Sequence, residues 1–204
     1  MIAIIDYGMG NLRSVEKGFQ KVGADVKVTS SPDDVEKADG VVLPGVGAFK
    51  GCMSELQNLD LIDSVVASIK KGKPYLGICL GLHVLFTESE EFGRCRGMDI
   101  FRGQVVRFEN SDLKIPQMGW NQLNIKKDNP LFKGIPDKSY FYFVHSYYVA
   151  PDDPSIVATT TDYGIEFTSS VWKDNIFAVQ FHPEKSQTLG LHLLKNFSDI
   201  VTGK

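Results

Sequence analysis

Lys73-Pro74-Tyr75-Leu76-Gly77-Ile78-Cys79-Leu80-Gly81 decides both the fold and the chemistry of this chain. The apolar run after Lys-Gly-Lys-Pro reads as a buried strand, and Leu80 to Glu91 reads as the helix behind it. Cys79 then falls on a glycine-flanked strand-to-helix turn, the geometry of a nucleophile elbow with sulfur in place of a hydroxyl. Glycines on both sides admit a strained turn that a Cβ would obstruct. A thiol at the first turn of a helix also meets the positive end of the helix dipole and free backbone N–H groups, and both favour thiolate. Taken alone, a cysteine in an apolar segment is more often an inert core thiol. A nucleophile needs a base.

The base candidate lies in Gln180-Phe181-His182-Pro183-Glu184. Asn175 to Phe181 reads as a strand, so His182 emerges at its carboxyl end, and Pro183 sets the turn that follows. Glu184, two residues further on, can turn back to the imidazole, fix its tautomer and stabilise its charged form. Taken alone, His-Pro-Glu is an ordinary exposed turn. Together with Cys79 it suits acyl transfer through a thioester. A third segment, Val41-Val42-Leu43-Pro44-Gly45-Val46-Gly47-Ala48-Phe49, is a buried strand running into a loop with two glycines. Backbone N–H groups of that loop, with the N–H of Leu80, can form an oxyanion hole. A plain Gly-Pro turn is the other reading.

Around these segments the order of elements predicts an α/β fold. Apolar runs at Ile2–Ile5, Val26–Thr29, Gly40–Leu43 and Pro74–Ile78 alternate with helical patterns at Leu12–Val22, Phe49–Leu56, Leu61–Lys70 and Leu80–Glu90. Such alternation means parallel βαβ units. From Met98 to Val179 short β-type runs take over, at Val105–Phe108, Ser139–Val144, Ile156–Thr160 and Phe167–Trp172, before a closing helix from Thr188 to Val201. An antiparallel section attached to a mostly parallel central sheet is expected. Ligands collect beyond the carboxyl ends of parallel strands, where Gly45, Gly47, Cys79 and His182 would all lie.

Composition sets the limits. A chain of 204 residues, 43% hydrophobic, is most economically one domain over 1–204. With 22 basic and 25 acidic residues and a net charge of −3, no nucleic-acid surface is expected. Lys70-Lys71-Gly72-Lys73 sits where a helix should end and reads as capping. Met1 to Ile5 reads as a first strand rather than a signal peptide, and no stretch approaches membrane-spanning length. Three cysteines without a C-x-x-C pair fit a reducing, cytoplasmic setting, with Cys52 and Cys95 structural or incidental. No cluster has metal-ligand spacing, so neither a metal nor a cofactor is expected. Gly8-Met9-Gly10 lacks the third glycine of a dinucleotide fingerprint, since Arg13 holds that place. The two glycines read as a βα turn with Asn11 as the helix N-cap. His145 reads as a hydrogen-bonded core residue.

Leu43-Pro44-Gly45-Val46-Gly47, Gly77-Ile78-Cys79-Leu80-Gly81 and His182-Pro183-Glu184 resemble the class I, triad-type glutamine amidotransferases. Asp6-Tyr7-Gly8-Met9-Gly10-Asn11-Leu12, Met118-Gly119-Trp120-Asn121, Tyr142 to Tyr148 and His182-Pro183-Glu184-Lys185-Ser186 resemble, within that class, the glutaminase subunits of imidazole glycerol phosphate synthases. The resemblance runs from the first strand to the last helix. It implies a three-layer amidotransferase fold and a Cys79, His182, Glu184 triad that hydrolyses glutamine to glutamate and ammonia. It implies an oxyanion hole at Leu80, Val46 and Gly47. Glutamine contacts would come from Gly45, Gly47, the position of His83, Glu91, Ser146 and Tyr147. The family has glutamine where His83 stands, and often histidine where Gln117 stands. The partner would be a (β/α)₈-barrel cyclase subunit in a heterodimer, which takes the ammonia into histidine biosynthesis. Asn11, Trp120, Tyr142 and Lys185 match positions that line that interface. The residues themselves reach only a cysteine amide hydrolase. A glutaminase feeding another acceptor and a free-standing cysteine hydrolase remain open at this point.

Overall fold

The computed structural model describes residues 1–109 and 113–204. Strands β1 (Ile2–Ile5), β2 (Val26–Thr29), β3 (Gly40–Gly45) and β4 (Tyr75–Cys79) alternate with helices α1 (Leu12–Lys21), α2 (Pro32–Lys37), α3 (Phe49–Asn58) and α4 (Leu61–Lys70). A single turn, α5 (Leu80–His83), follows β4, and then come β5 (Phe86–Ser89), β6 (Cys95–Arg96), β7 (Phe101–Arg107), β8 (Gln117–Gln122) and β9 (Asn124–Ile125). The chain closes with β10 (Tyr140–His145), β11 (Tyr147–Pro151), β12 (Val157–Asp162), β13 (Glu166–Lys173), β14 (Ile176–Val179) and α6 (Gln187–Thr202).

The strands β2, β1, β3, β4 and β14 lie side by side and parallel, and β13 joins β14 antiparallel to continue the sheet through β11, β7, β5 and β6. Alternation along each strand sorts the core into two faces. Ile2, Ile4, Val42, Leu76 and Ile78 meet Val15 and Phe19 of α1 and Leu193, Leu194 and Phe197 of α6. Ala3, Ile5, Val41, Leu43 and Tyr75 meet Val35 of α2, Phe49, Cys52 and Leu56 of α3, and Leu61 and Val65 of α4. The result is a mostly parallel central sheet between helical layers, with an antiparallel part. Among the described residues no helix is long and apolar enough to cross a membrane.

Three local expectations are corrected. The helix expected from Leu80 to Glu91 stops after one turn. The carbonyl of Val84 accepts from the N–H of Met98, and that of Leu85 accepts from Ile100 and Phe101, so the chain turns into β5 and pairs forward with β7. Asn11 stands at the N-cap of α1, yet its side chain makes no capping hydrogen bond. The lysine cluster divides its work: Lys70 lies in the last turn of α4, whereas Lys73 Nζ donates to the carbonyls of Glu36 and Ala38 and so closes α2.

The pair β8–β10 forms a separate two-stranded antiparallel ribbon, registered Tyr142 to Trp120 and His145 to Gln117. Met118, Trp120 and Tyr140 stand exposed on it.

Candidate active site

Cys79 ends β4 with φ 54° and ψ −105°, a backbone conformation that L-residues seldom adopt. The strain sits in the cysteine itself; the flanking glycines serve close approach. A Cβ on Gly77 would lie 2.4 Å from the carbonyl oxygen of Gly81, and one on Gly81 would lie 1.8 Å from that of Leu43. The turn is thereby pressed against β3 and β4 and aims the thiol out of the sheet. With α5 only one turn long, local backbone N–H groups and neighbouring side chains replace a long helix dipole as the thiol's surroundings.

Strand β14 runs parallel to β4 with Val179 opposite Ile78, which brings the chain after Val179 alongside Cys79. His182 follows, buried, and a short 3₁₀ turn over Pro183–Lys185 folds Glu184 back beneath it. His182 Nδ1 and Glu184 Oε1 lie 2.8 Å apart, with both side chains at most 2% exposed. The carboxylate accepts from Nδ1–H, which leaves Nε2 turned toward Cys79 as the proton-handling atom. Burial would lower the His182 pKa, but the Cys79 thiolate and the Glu184 carboxylate outweigh it and lift it to about 10. His182 therefore holds its proton at neutral pH. Its backbone is fixed as well: the N–H donates to the carbonyl of Tyr142 at 2.9 Å. Ser186 Oγ donates to the His182 carbonyl at 2.7 Å and accepts from the N–H of Tyr142 at 3.0 Å.

Cys79 opens into a cavity of about 390 Å³. Of the residues expected at the oxyanion hole, Val46, Gly47 and Leu80 all line it. Gly47 takes φ +95°, the left-handed region that glycine enters freely. Of the expected glutamine contacts, Gly47, His83, Glu91, Ser146 and Tyr147 line the cavity. Gly45 stands behind the wall instead: it pairs with Cys79 in the sheet, and a Cβ there would strike Tyr7 Oη at 2.5 Å and Leu80 Cβ at 2.7 Å. Glu91 Oε2 accepts from the N–H of Phe49, the first residue of α3, at 2.7 Å.

Of the four residues matched to a partner surface, Trp120, Tyr142 and Lys185 come together. The rings of Trp120 and Tyr142 meet edge-to-face with centroids 6.0 Å apart, and Lys185 Nζ lies 5.9 Å from the Tyr142 ring centre. Trp120 is 42% exposed, so it is not a core residue. Lys185 also lines the cavity, joining that surface to the site. Asn11 is exposed at the start of α1.

Three features escaped sequence reasoning. Pro116 and Val144 line the cavity. His145 lines it too, with Nδ1 2.8 Å from the carbonyl oxygen of Tyr147, and burial depresses its pKa to about 3, so it stays neutral. Gln180, wholly buried, sets its Nε2 3.7 Å from Cys79 Sγ and its Oε1 2.7 Å from His83 Nε2. No local sequence signal marks it, because its place beside Cys79 depends on the parallel register of β14 on β4. Of the remaining cysteines, Cys52 is buried, which pushes its thiol up to about 12 and makes it unreactive; Cys95 is partly exposed.

A family model described as glutamine amidotransferase class-I matches residues 3–200. Among similar sequences, the imidazole glycerol phosphate synthase subunit HisH of Syntrophotalea carbinolica is 54% identical over 98% of this chain and 100% of the relative. The HisH subunit of Methanothermobacter thermautotrophicus is 52% identical over 98% of this chain and 99% of its own length. Among solved structures, a glutamine amidotransferase superimposes with a TM-score of 0.77 at 16% identity, covering 100% of both chains. The PurLQS structure from Thermotoga maritima gives 0.75 at 16% identity, over 99% of this chain and 97% of that one. These structural likenesses show the fold.

Proposed function

Since this chain belongs to the class I glutamine amidotransferases, we propose that it is the glutaminase subunit of an imidazole glycerol phosphate synthase, acting as one domain over residues 1–204. The observation that carries this reading is Cys79, on a strained turn that opens into the cavity, with the buried His182–Glu184 pair set beside it by the pairing of β14 with β4. Identity above 50% along nearly the whole chain supports the choice of this subunit over other members of the class.

Glutamine enters with its side-chain amide over Cys79. Sγ attacks the amide carbon, and the resulting oxyanion is taken up by the N–H groups of Leu80 and of the Val46–Gly47 loop. The proton held on His182 passes to the leaving nitrogen, the C–N bond breaks and ammonia departs, leaving a glutamyl thioester on Cys79. His182, now neutral, takes a proton from water as it attacks the thioester. Glutamate leaves and the thiolate returns. Glu91 suits the α-ammonium of glutamine by charge, and Ser146 and Tyr147 line the same cavity.

The ammonia goes to a (β/α)₈-barrel cyclase subunit, which docks on the surface of Trp120, Tyr142, Lys185 and Asn11. Free thiols suit a cytoplasmic enzyme. The test is glutamate release by the purified chain, alone and with the cyclase subunit carrying its ribulosyl ligand. A large rise with the liganded partner is expected. Equal, brisk turnover in both conditions would overturn the assignment to a coupled subunit.

A further inference from the structure

Cys79 Sγ, the Gln180 amide and the His83 imidazole form a buried chain of hydrogen-bonding groups. The Gln180 amide presents its Nε2, a donor, to Sγ at 3.7 Å. The amide oxygen then faces His83 Nε2 at 2.7 Å and must accept, so His83 carries its hydrogen on Nε2. His83 stays neutral in this role, because burial depresses its pKa to about 4 and the bond to Gln180 offsets only part of that. All three side chains are buried: Gln180 is 0% exposed, His83 5% and Cys79 7%. Removing either donor leaves the next group unpaired in low dielectric.

We infer that Gln180 is a catalytic donor that holds the Cys79 sulfur as thiolate, and that His83 is the positioning residue that keeps the Gln180 amide turned the right way. The inference rests on the glutaminase reading of this site and deepens it. It gives the residue four places after the nucleophile a task on the enzyme's own sulfur instead of on substrate. A neutral Nε2–H is what the position requires, and a glutamine side chain offers an equivalent N–H.

The test is the pH dependence of Cys79 alkylation by iodoacetamide in the full-length chain. It is followed by mass spectrometry of the Cys79 peptide, so that Cys52 and Cys95 do not contribute. For His83→Leu we expect alkylation at pH 7 to fall about tenfold and the profile to move upward by about one pH unit, the two being equivalent for a thiolate reaction. His83→Gln is expected to restore the wild-type profile. Gln180→Leu should match His83→Leu, and Gln180→Glu should shift the profile further, since a carboxylate repels the thiolate. Circular dichroism of each variant establishes that it folds, and the isosteric Gln180→Glu, whose profile is expected to move upward, carries the comparison if a leucine variant does not; a wild-type profile for Gln180→Glu would then overturn the inference.

A Gln180→Leu profile superimposable on wild type would overturn the inference. So would a His83→Leu effect confined to KM for glutamine in the presence of the partner. Alkylation needs no glutamine, so these outcomes stand apart from the glutaminase reading, which is judged by glutamate release from the wild-type chain.

Discussion

The Glu91 carboxylate and the backbone N–H of Phe49, 42 residues apart in the chain, meet at 2.7 Å. The contact fastens the start of α3, and with it the Val46–Gly47 loop, to the wall of the cavity that faces the substrate. One carboxylate oxygen is thereby engaged in holding the loop, with the charge still presented to the cavity. Glu91→Gln keeps an acceptor for Phe49 and loses the charge, so KM for glutamine should rise about tenfold with a smaller change in kcat. Glu91→Ala loses both, and kcat should fall as well. Steady-state kinetics with the partner present separates the two. Equal effects on KM and kcat in both variants would refute the division.

Cys79→Ala should abolish glutamate release and leave folding and partner binding nearly unchanged. Cys79→Gly should be equally inactive but more stable than the alanine variant by about 1 kcal/mol, because glycine accepts the positive φ that alanine must strain to reach. Urea denaturation of the pair checks this; alanine as stable as glycine would mean that the turn relaxes.

Gly81→Ala would put a Cβ within 1.8 Å of the Leu43 carbonyl oxygen, a backbone atom in the middle of a fully buried strand. Overpacking of that kind should cost more than about 2 kcal/mol. The expected readout is insoluble or strongly destabilised protein, and a soluble variant with near-wild-type urea denaturation would contradict the close approach.

Stability should fall on both sides of near-neutral pH. His182 binds its proton up to about pH 10 in the fold and only to its ordinary value near 6.5 when unfolded. Its stabilisation is complete below 6.5 and is lost as pH rises toward 10. His83 and His145, depressed to about 4 and about 3, are neutral in the fold where the unfolded chain is protonated, so they remove stability as pH falls from 6.5 toward those values. His83→Gln should flatten the acid limb and His182→Ala the alkaline limb. Unchanged limbs in denaturation across pH would contradict these assignments.

Lys185→Ala should reduce stimulation by the partner more than it reduces unstimulated turnover, since Lys185 lies between the Tyr142 ring and the cavity. Stimulation equal to wild type would remove Lys185 from the interface.

Much of this was legible in the residues. Ile2–Ile5 and Val26–Thr29 read correctly because apolar runs bounded by breakers leave few alternatives, and Leu61–Lys70 because an amphipathic stripe ends at Gly72. The Cys79, His182 and Glu184 segments carry their own turn chemistry. The stretch after Leu80 misled because Leu82, Val84, Leu85 and Phe86 are all buried, with no glycine or proline to mark where helix gives way to strand. Strand β8 was missed because Met118 and Trp120, its two apolar side chains, lie on its exposed face, and the residues between and around them are glycine, asparagine and glutamine, which favour no strand. The bond from His83 to Gln180 spans 97 residues and depends on sheet register, which local pattern does not reveal.

The ribbon of β8 and β10 holds the His182 backbone through Tyr142, which also bonds Ser186, yet among the described residues it pairs with no strand of the central sheet that mounts Cys79. Nucleophile and base stand at the ends of two neighbouring strands of one sheet, but only the base has a second anchor on the ribbon. Changes to the ribbon reach the acid–base member without altering the turn that forms the thioester. A substitution on the ribbon is therefore felt first by the imidazole, while the turn that carries the thiol keeps its own support from β3 and β14.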